Sequence, residues 1–506
     1  MVQTTSARSY EMPRLDLPGG EMKNGDTSMG LSNLNNGSYI QRQANGDQRP
    51  LEAGDGIFTI GLDPPLPDGS PPLDLDDDNA HYDPHMHRQT DAPTTNVDTL
   101  VHLLKGSLGT GILAMPNAFY HAGMVVGFVG TVLIGSLCTY CMHVLIRSQY
   151  ELCRQLRVPL LSYPRTVEVA LDQGPSVLRK ATRYAGTVVN GFLVTYQLGI
   201  CCVYVVFVAS NLKEVADIYW MPVNVRLYML MLLAPLILLN YVRNLKLLSP
   251  FSTLANVITF VGLGITMYYV FRDIPSPSER DMVGQLRNFP LFVGTTLFAL
   301  EGVGVIIAIE SNMKTPRSFI GYTGVLNRGM AIIVTLYVFV GFCGYVRYGS
   351  ESKGSITLNL PLEDILAQSV KVMFAIAIFI TYALQCYLPV EIIWNSCAKE
   401  RFAKSSNKKQ LFFEYLIRTL LVIATFLLAV AIPRLELFIS LFGALCLSAL
   451  GIIFPSIIEI CLLWPDRNFG RYNWILAKDI LLFFCGLVAL VIGTYTSLQD
   501  IITSLI

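Results

Sequence analysis

Charge is scarce in this chain. Asp, Glu, Lys and Arg supply only 15% of 506 residues, against 52% hydrophobic. So little charge cannot cover the surface of a soluble protein of ordinary composition, and the chain reads as an integral membrane protein. The usual marks of catalysis and nucleotide-driven work are missing too. There is no G-x-x-x-x-G-K-[ST], no zinc-ligand spacing and no G-x-S-x-G, so hydrolysis and primary pumping are unsupported and neither metal nor cofactor is expected. GTGILA at 109–114 fits a dinucleotide pattern, but it lies in an apolar run instead of a strand–turn–helix unit and is set aside. None of the 11 cysteines falls in a loop placed outside the membrane, which excludes a disulfide framework. No charged-then-apolar leader with a small-residue cleavage site opens the chain, so the first apolar run is expected to act as the insertion signal.

What charge there is lies unevenly. Residues 1–97 hold 15 Asp/Glu against 6 Lys/Arg, and residues 98–506 hold 22 against 31. The expected domains follow: a disordered acidic tail, 1–97, and a transmembrane domain, 98–506. The tail is rich in Gly, Pro, Asn and Asp (PPLPDGSPPLDLDDDNAHYDPHMH) and shows no apolar periodicity that could offset the entropy of ordering it. Its His81, His85 and His87 are read as solvated rather than as a metal site. Removing residues 1–90 is expected to leave the transport machinery intact.

A bilayer core takes roughly 20 apolar residues of helix. Eleven runs meet that length: 98–119, 124–147, 184–211, 226–242, 249–271, 290–311, 321–346, 365–392, 411–432, 435–463 and 473–498. Placing the N-terminus in the cytosol puts 19 Lys/Arg in inner loops and 8 in outer ones, a ratio that favours this orientation. Within 148–183, Pro164 and Gly174-Pro175 bracket a short amphipathic helix.

The first run, VHLLKGSLGTGILAMPNAFYHAG, contains its own breakers: Gly106, Gly109, Gly111 and Pro116. The sixth repeats the device in GTTLFALEGVGVIIAIES, with Gly294, Gly302 and Gly304 around Glu301. Unwound backbone survives at membrane depth only where it lines a cavity or meets a ligand. Interrupted helices early in each half of a chain with five spans per half predict an all-α 5+5 inverted repeat with a midplane site. Half-helix N-termini suit a carboxylate and half-helix C-termini suit a cation, so the substrate expected is a zwitterion, an amino acid. Gly123 and Gly127, by contrast, read as a packing pair. Tyr196, Gln197, Tyr382 and Gln385 could line the cavity, although polar residues there more often bond helix to helix.

These runs closely resemble the proton-coupled amino acid transporters of the amino acid/auxin permease group. The likeness continues through YVRNLKLLSPFSTLAN, FPLFVGTTLFALEGVGVIIAIESNMKTPRSF, YGSESKGSITLNLP, TYALQCYLPVEI and IPRLELFISLFGALCLSALGIIFPSIIE, covering 98–498. The resemblance implies an 11-span, LeuT-like inverted-repeat fold and symport of small amino acids with protons, without sodium, in a lysosomal, late endosomal or plasma membrane. Gly106, Ser107, Gly109, Thr110, Gly111, Phe298, Glu301 and Gly302 are the expected substrate-binding residues. His102 matches the family's coupling histidine, and its type suits a group that loads and unloads protons. Glu301 either carries the proton or forms a fixed pair with Lys105. The chain departs from the family at Ser107, where asparagine is common, and at Tyr140, where a second histidine is found, with His143 one turn away. The cysteine pair that some relatives carry in their outer loops is missing as well. The expected partners are the amino acid, protons and lipid, with no nucleic acid. An alternative function is a low-flux amino acid receptor that signals to a cytoplasmic partner through its acidic tail, and another is an uncoupled carrier.

Overall fold

The computed structural model describes residues 82–88, 93–243, 245–272, 274–300, 302–398 and 406–505. Most of the acidic tail, including His81, and also Glu301, lie outside the described residues. Among the described residues the regular secondary structure is helical, apart from one isolated β-bridge, Thr94 with Met313.

The first apolar run forms two helices. α1 (Asn96–Ser107) opens on a capping box in which Thr95 Oγ1 accepts from the Asp98 amide at 3.3 Å and the Asp98 carboxylate accepts from the Thr95 amide at 3.2 Å. It stops at Leu108, and α2 (Thr110–Ala122) resumes the run. Gly123, at φ +83°, turns the chain sharply into α3 (Met124–Leu156). The expected amphipathic helix is α4 (Tyr163–Gln173), with Pro164 in its first turn and Gly174 after its last, followed by the single turn α5 (Ser176–Arg179). Next come α6 (Thr182–Tyr219), α7 (Val225–Asn240) and α8 (Leu245–Arg272).

The sixth run is also split, into α9 (Phe289–Ala299) and α10 (Val303–Ser311). α11 (Val325–Tyr348) and α12 (Ile365–Ile393) follow, then α13 (Asn407–Ala431). The tenth run is α14 (Leu435–Phe442), two wide π turns over Gly443–Leu447 and Ala449–Ile453, and α15 (Phe454–Leu463). α16 (Trp474–Leu505) completes the series. Among the described residues, 8 continuous stretches are long and apolar enough to cross a membrane. The remaining runs are the 16-residue α7 and the two split ones.

Glycines set the closest approaches. A β-carbon on Gly127 would lie 2.8 Å from the Phe119 ring, as a packing glycine requires, and Gly123 adds its positive φ to the same role. Among the described residues ten cysteines are placed outside any disulfide.

The expected boundary of the tail moves. Asn96 and Val97 belong to α1, and residues 82–88 are held against the bundle. Arg88 donates from Nη1 to both Glu310 oxygens, at 2.9 and 2.8 Å, and from Nε to the Pro159 carbonyl at 3.1 Å. Both side chains of this pair are buried. His85 stacks on Tyr150 with ring centroids 4.6 Å apart, and the Asp83 carboxylate accepts from the Tyr150 hydroxyl at 3.2 Å and pairs with Arg317. The Thr94 amide donates to the Asn312 carbonyl at 2.8 Å, and the Lys314 amide to the Thr94 carbonyl at 2.9 Å. A cut at residue 90 therefore removes the partner of a buried carboxylate. The composition gave no sign of this, because Arg88 and Glu310 meet only through the fold.

Candidate functional site

Of the expected breakers, Gly109 and Gly302 stand at the interruptions, whereas Gly106, Gly111, Gly294 and Gly304 lie within α1, α2, α9 and α10, and α2 runs on through Pro116. At the first break, Leu108 sits at φ −85°, ψ 82°, and Gly109 at φ −129°, ψ −149°. The Ser107 carbonyl, last in α1, accepts from the Gly109 amide at 3.1 Å and from the Tyr337 hydroxyl. α2 then starts with no side chain capping its first amides. At the second break the Leu300 amide donates to the Thr296 carbonyl at 3.0 Å, and Gly302, at φ −152°, ψ −6°, begins α10, again without a side-chain cap. Each break thus presents a helix N-terminus with unsatisfied amides and the positive end of a helix dipole.

The two breaks meet. A β-carbon on Gly111 would lie 2.6 Å from Ala299 Cα, so α2 and α9 touch backbone to backbone where α2 begins and α9 ends. Gly109 looks the other way: its nearest neighbour would be the Tyr204 hydroxyl, 3.9 Å off. Gly302 would meet the Met142 methyl at 3.3 Å. Thr110 and Phe298 are buried beside them, Phe298 with its ring 6.0 Å from that of Tyr196. Glu301, between α9 and α10, lies outside the described residues.

Other expected site residues stand apart. Gly106 is exposed on α1, and the Ser107 hydroxyl turns back to the Leu103 carbonyl at 3.1 Å. His102 is half-buried before the break, with a buried Nδ1 that has no partner.

The polar residues of α6 and α12 bond helix to helix. Gln197 donates to Gln385 Oε1 at 2.7 Å, and the Tyr382 hydroxyl lies 2.8 Å from Thr425 Oγ1. Tyr204, which also bonds Gln385, was not anticipated, since nothing marks it within CCVYVVFV. Charges inside apolar runs were also passed over. Lys371, fully buried in α12, pairs with Glu214, and Lys478, Asp479 and Glu459 cluster against Tyr140. Their signal was present, because ionisable residues at such depth are uncommon without a role. His143 Nε2 lies 2.6 Å from Asn327 Oδ1, one turn along α3 from Tyr140.

A cavity of about 900 Å³ between α3 and α11 lies away from both breaks, lined by outward-facing Phe128, Val132 and Phe339. It suits lipid tails better than a zwitterion.

Two interrupted helices meeting inside an all-helical apolar bundle define the class: a membrane transport protein. The family model for transmembrane amino acid transporter proteins matches residues 92–499. The chain is 42% identical over 424 residues to "Proton-coupled amino acid transporter-like protein pathetic" of Drosophila melanogaster, covering 83% of this chain and 88% of that one. It is 26% identical over 421 residues to "Probable amino acid transporter skat-1" of Caenorhabditis elegans, covering 81% and 91%. Among solved structures the inward-facing conformation of Mhp1 shares the fold, with a TM-score of 0.51 at 14% identity, over 83% of this chain and 92% of that one. The chain belongs to the transmembrane amino acid transporter family and groups within it with the proton-coupled amino acid transporters. It is a multi-pass membrane transporter, not an enzyme.

Proposed function

We propose that this protein is a secondary transporter that carries small amino acids together with protons and without sodium. It would do so across eleven spans arranged as a 5+5 inverted repeat, with its N-terminus in the cytosol. The observation that carries this reading is the meeting of the two breaks, where the uncapped N-terminal end of α2 at Gly111 touches the carboxyl end of α9 at Ala299, three residues before the second uncapped N-terminus at Gly302. A substrate carboxylate would accept from the free amides of Thr110 and Gly111, and its ammonium would lie toward the carbonyl ends of α1 and α9. Gly109 leaves room for it beneath Tyr204. Phe298 would close the apolar side, and Gly302 would offer the second set of amides. His102 or Glu301 would carry the coupled proton, and the membrane would be lysosomal, late endosomal or plasma.

The test is uptake of radiolabelled amino acids into vesicles holding the purified protein, with and without an inward proton gradient and with sodium replaced. Saturable, acid-stimulated and sodium-indifferent uptake supports the proposal. Substrate movement without proton movement would leave an uncoupled carrier.

One observation favours a second reading, a low-flux receptor. Residues 82–88 end the acidic stretch and are clamped to Glu310 on α10, the half-helix that starts at the second break. Any movement of α10 on occupancy would be passed to the tail and to a cytoplasmic partner. Saturable binding with negligible flux would favour it.

A further inference from the structure

The geometry points to a proton-binding site at the junction of α3, α15 and α16, remote from both breaks, in which Glu459 and Asp479 share one ammonium and one exchangeable proton. What that proton does in transport rests on the coupled reading above. That the site binds a proton does not.

Lys478 Nζ lies 2.7 Å from Glu459 Oε2 and 2.9 Å from Asp479 Oδ1, and it donates to the Tyr140 hydroxyl. The same ammonium sits 4.8 Å from the Tyr140 ring centroid. Two carboxylates against one cation leave a surplus negative charge. The other ionic clusters described balance differently: Arg88 answers Glu310 one to one, Glu214 has both Lys353 and Lys371, and Glu414 has both Arg243 and Arg418.

The surplus sits where it is hardest to keep. Asp479 is 0% exposed, and neither of its oxygens accepts a hydrogen bond. Lys478, its neighbour in sequence, comes within 2.9 Å of Oδ1 but outside hydrogen-bond alignment. A charge withdrawn from water without donors is disfavoured, and like charges close together disfavour each other. The other groups facing the pair are Tyr140 and the buried Cys141 on α3, and neither adds a positive charge. One proton cancels the surplus: carboxylate and proton become a carboxylic acid, no other bond changes, and the cluster is neutral. Glu459, 21% exposed, gives solvent a route to the pair that Asp479 lacks.

The test uses the full-length protein in lipid nanodiscs, titrated from alkaline to acid while the carboxylic acid C=O band is followed by difference infrared spectroscopy. Wild-type protein should gain the band, and Asp479→Asn and Glu459→Gln should each lose it, with uptake of one proton fewer per molecule. Glu414→Gln, in a cation-rich cluster, should keep it. Asn and Gln are nearly isosteric with the residues they replace, and thermal unfolding in the same discs reports whether each variant is folded. Folded variants with a wild-type band and proton count would overturn the site. Loss of the band with acid-stimulated uptake retained would confirm the site and place it off the coupling route. Wild-type uptake indifferent to acid, with the band present, would overturn the coupled reading and leave the site standing.

Discussion

Two neighbouring glycines of the first break can be told apart by adding one methyl group to each. In Gly111→Ala the new β-carbon would sit 2.6 Å from Ala299 Cα, a backbone atom that cannot swing aside. Ordinary contact begins at 3.4 Å, so α2 and α9 must part by about 0.8 Å. Overpacking of this kind costs about 1–3 kcal/mol. In Gly109→Ala the nearest atom is 3.9 Å away and φ, at −129°, lies outside the left-handed region that favours glycine, so stability should stay within about 0.5 kcal/mol of wild type. Thermal unfolding in detergent or nanodiscs should therefore rank wild type with Gly109→Ala and place Gly111→Ala below both. Transport should divide differently. Gly109→Val fills the space reserved for substrate and should abolish uptake while the protein remains folded, whereas the loss in Gly111→Ala should follow its stability. Normal uptake kinetics in Gly109→Val would defeat the site assignment, and an undiminished melting temperature in Gly111→Ala would defeat the close contact of the half-helices.

Truncation before Tyr82 should leave uptake and stability unchanged, whereas truncation after residue 90 strands buried Glu310 and should destabilise the fold by about 3–5 kcal/mol, measured by thermal unfolding. Burial, and then the charge of Arg88, pull the His85 pKa from 6.5 to about 4. Because the unfolded segment binds the proton more readily, docking of 82–88 should be strongest above the ordinary histidine range and weaken as pH falls toward about 4. Amide hydrogen exchange in that segment checks this, and protection that ignores pH would refute it. His102→Ala should lose acid stimulation of uptake while keeping substrate binding, and Glu301→Gln should keep amino acid exchange but fail in pH-driven accumulation. Wild-type kinetics in either variant would remove that residue from the coupling scheme.

The two breaks could be read from the sequence because glycine acts locally, and Gly109 and Gly302 stand at the interruptions, whereas Pro116, expected as a further breaker, is carried inside α2. Gly111 shows the limit of that reading. A glycine needed for an open amide and one needed for a helix contact look alike until the partner, Ala299, is known. The helix α4 was legible for the same local reason, through Pro164 and Gly174. The docked segment was not, since Arg88 and Glu310 are 222 residues apart and an acidic, proline-rich neighbourhood argues for solvent. Tyr204 belongs with it, as its meaning lies in which helices stand side by side, whereas Lys478 and Asp479 carried a signal as charges inside an apolar run and only their partners Glu459 and Tyr140 were hidden.

The two wide turns of Gly443–Leu447 and Ala449–Ile453 have a consequence for how this helix tolerates change. A π turn holds one residue more than the α-helical turn it replaces, and that extra residue is absorbed locally. Losing one residue inside 443–453 can be met by tightening a turn, leaving everything beyond it facing as before. Losing one within Phe454–Ile458 has no such reserve and would rotate Glu459 by about 100° about the helix axis, away from Lys478. The stretch between Phe442 and Phe454 is thus a slack coupling in a helix that is otherwise rigidly indexed. Single-residue insertions and deletions in relatives should collect there and be absent from the turn that follows.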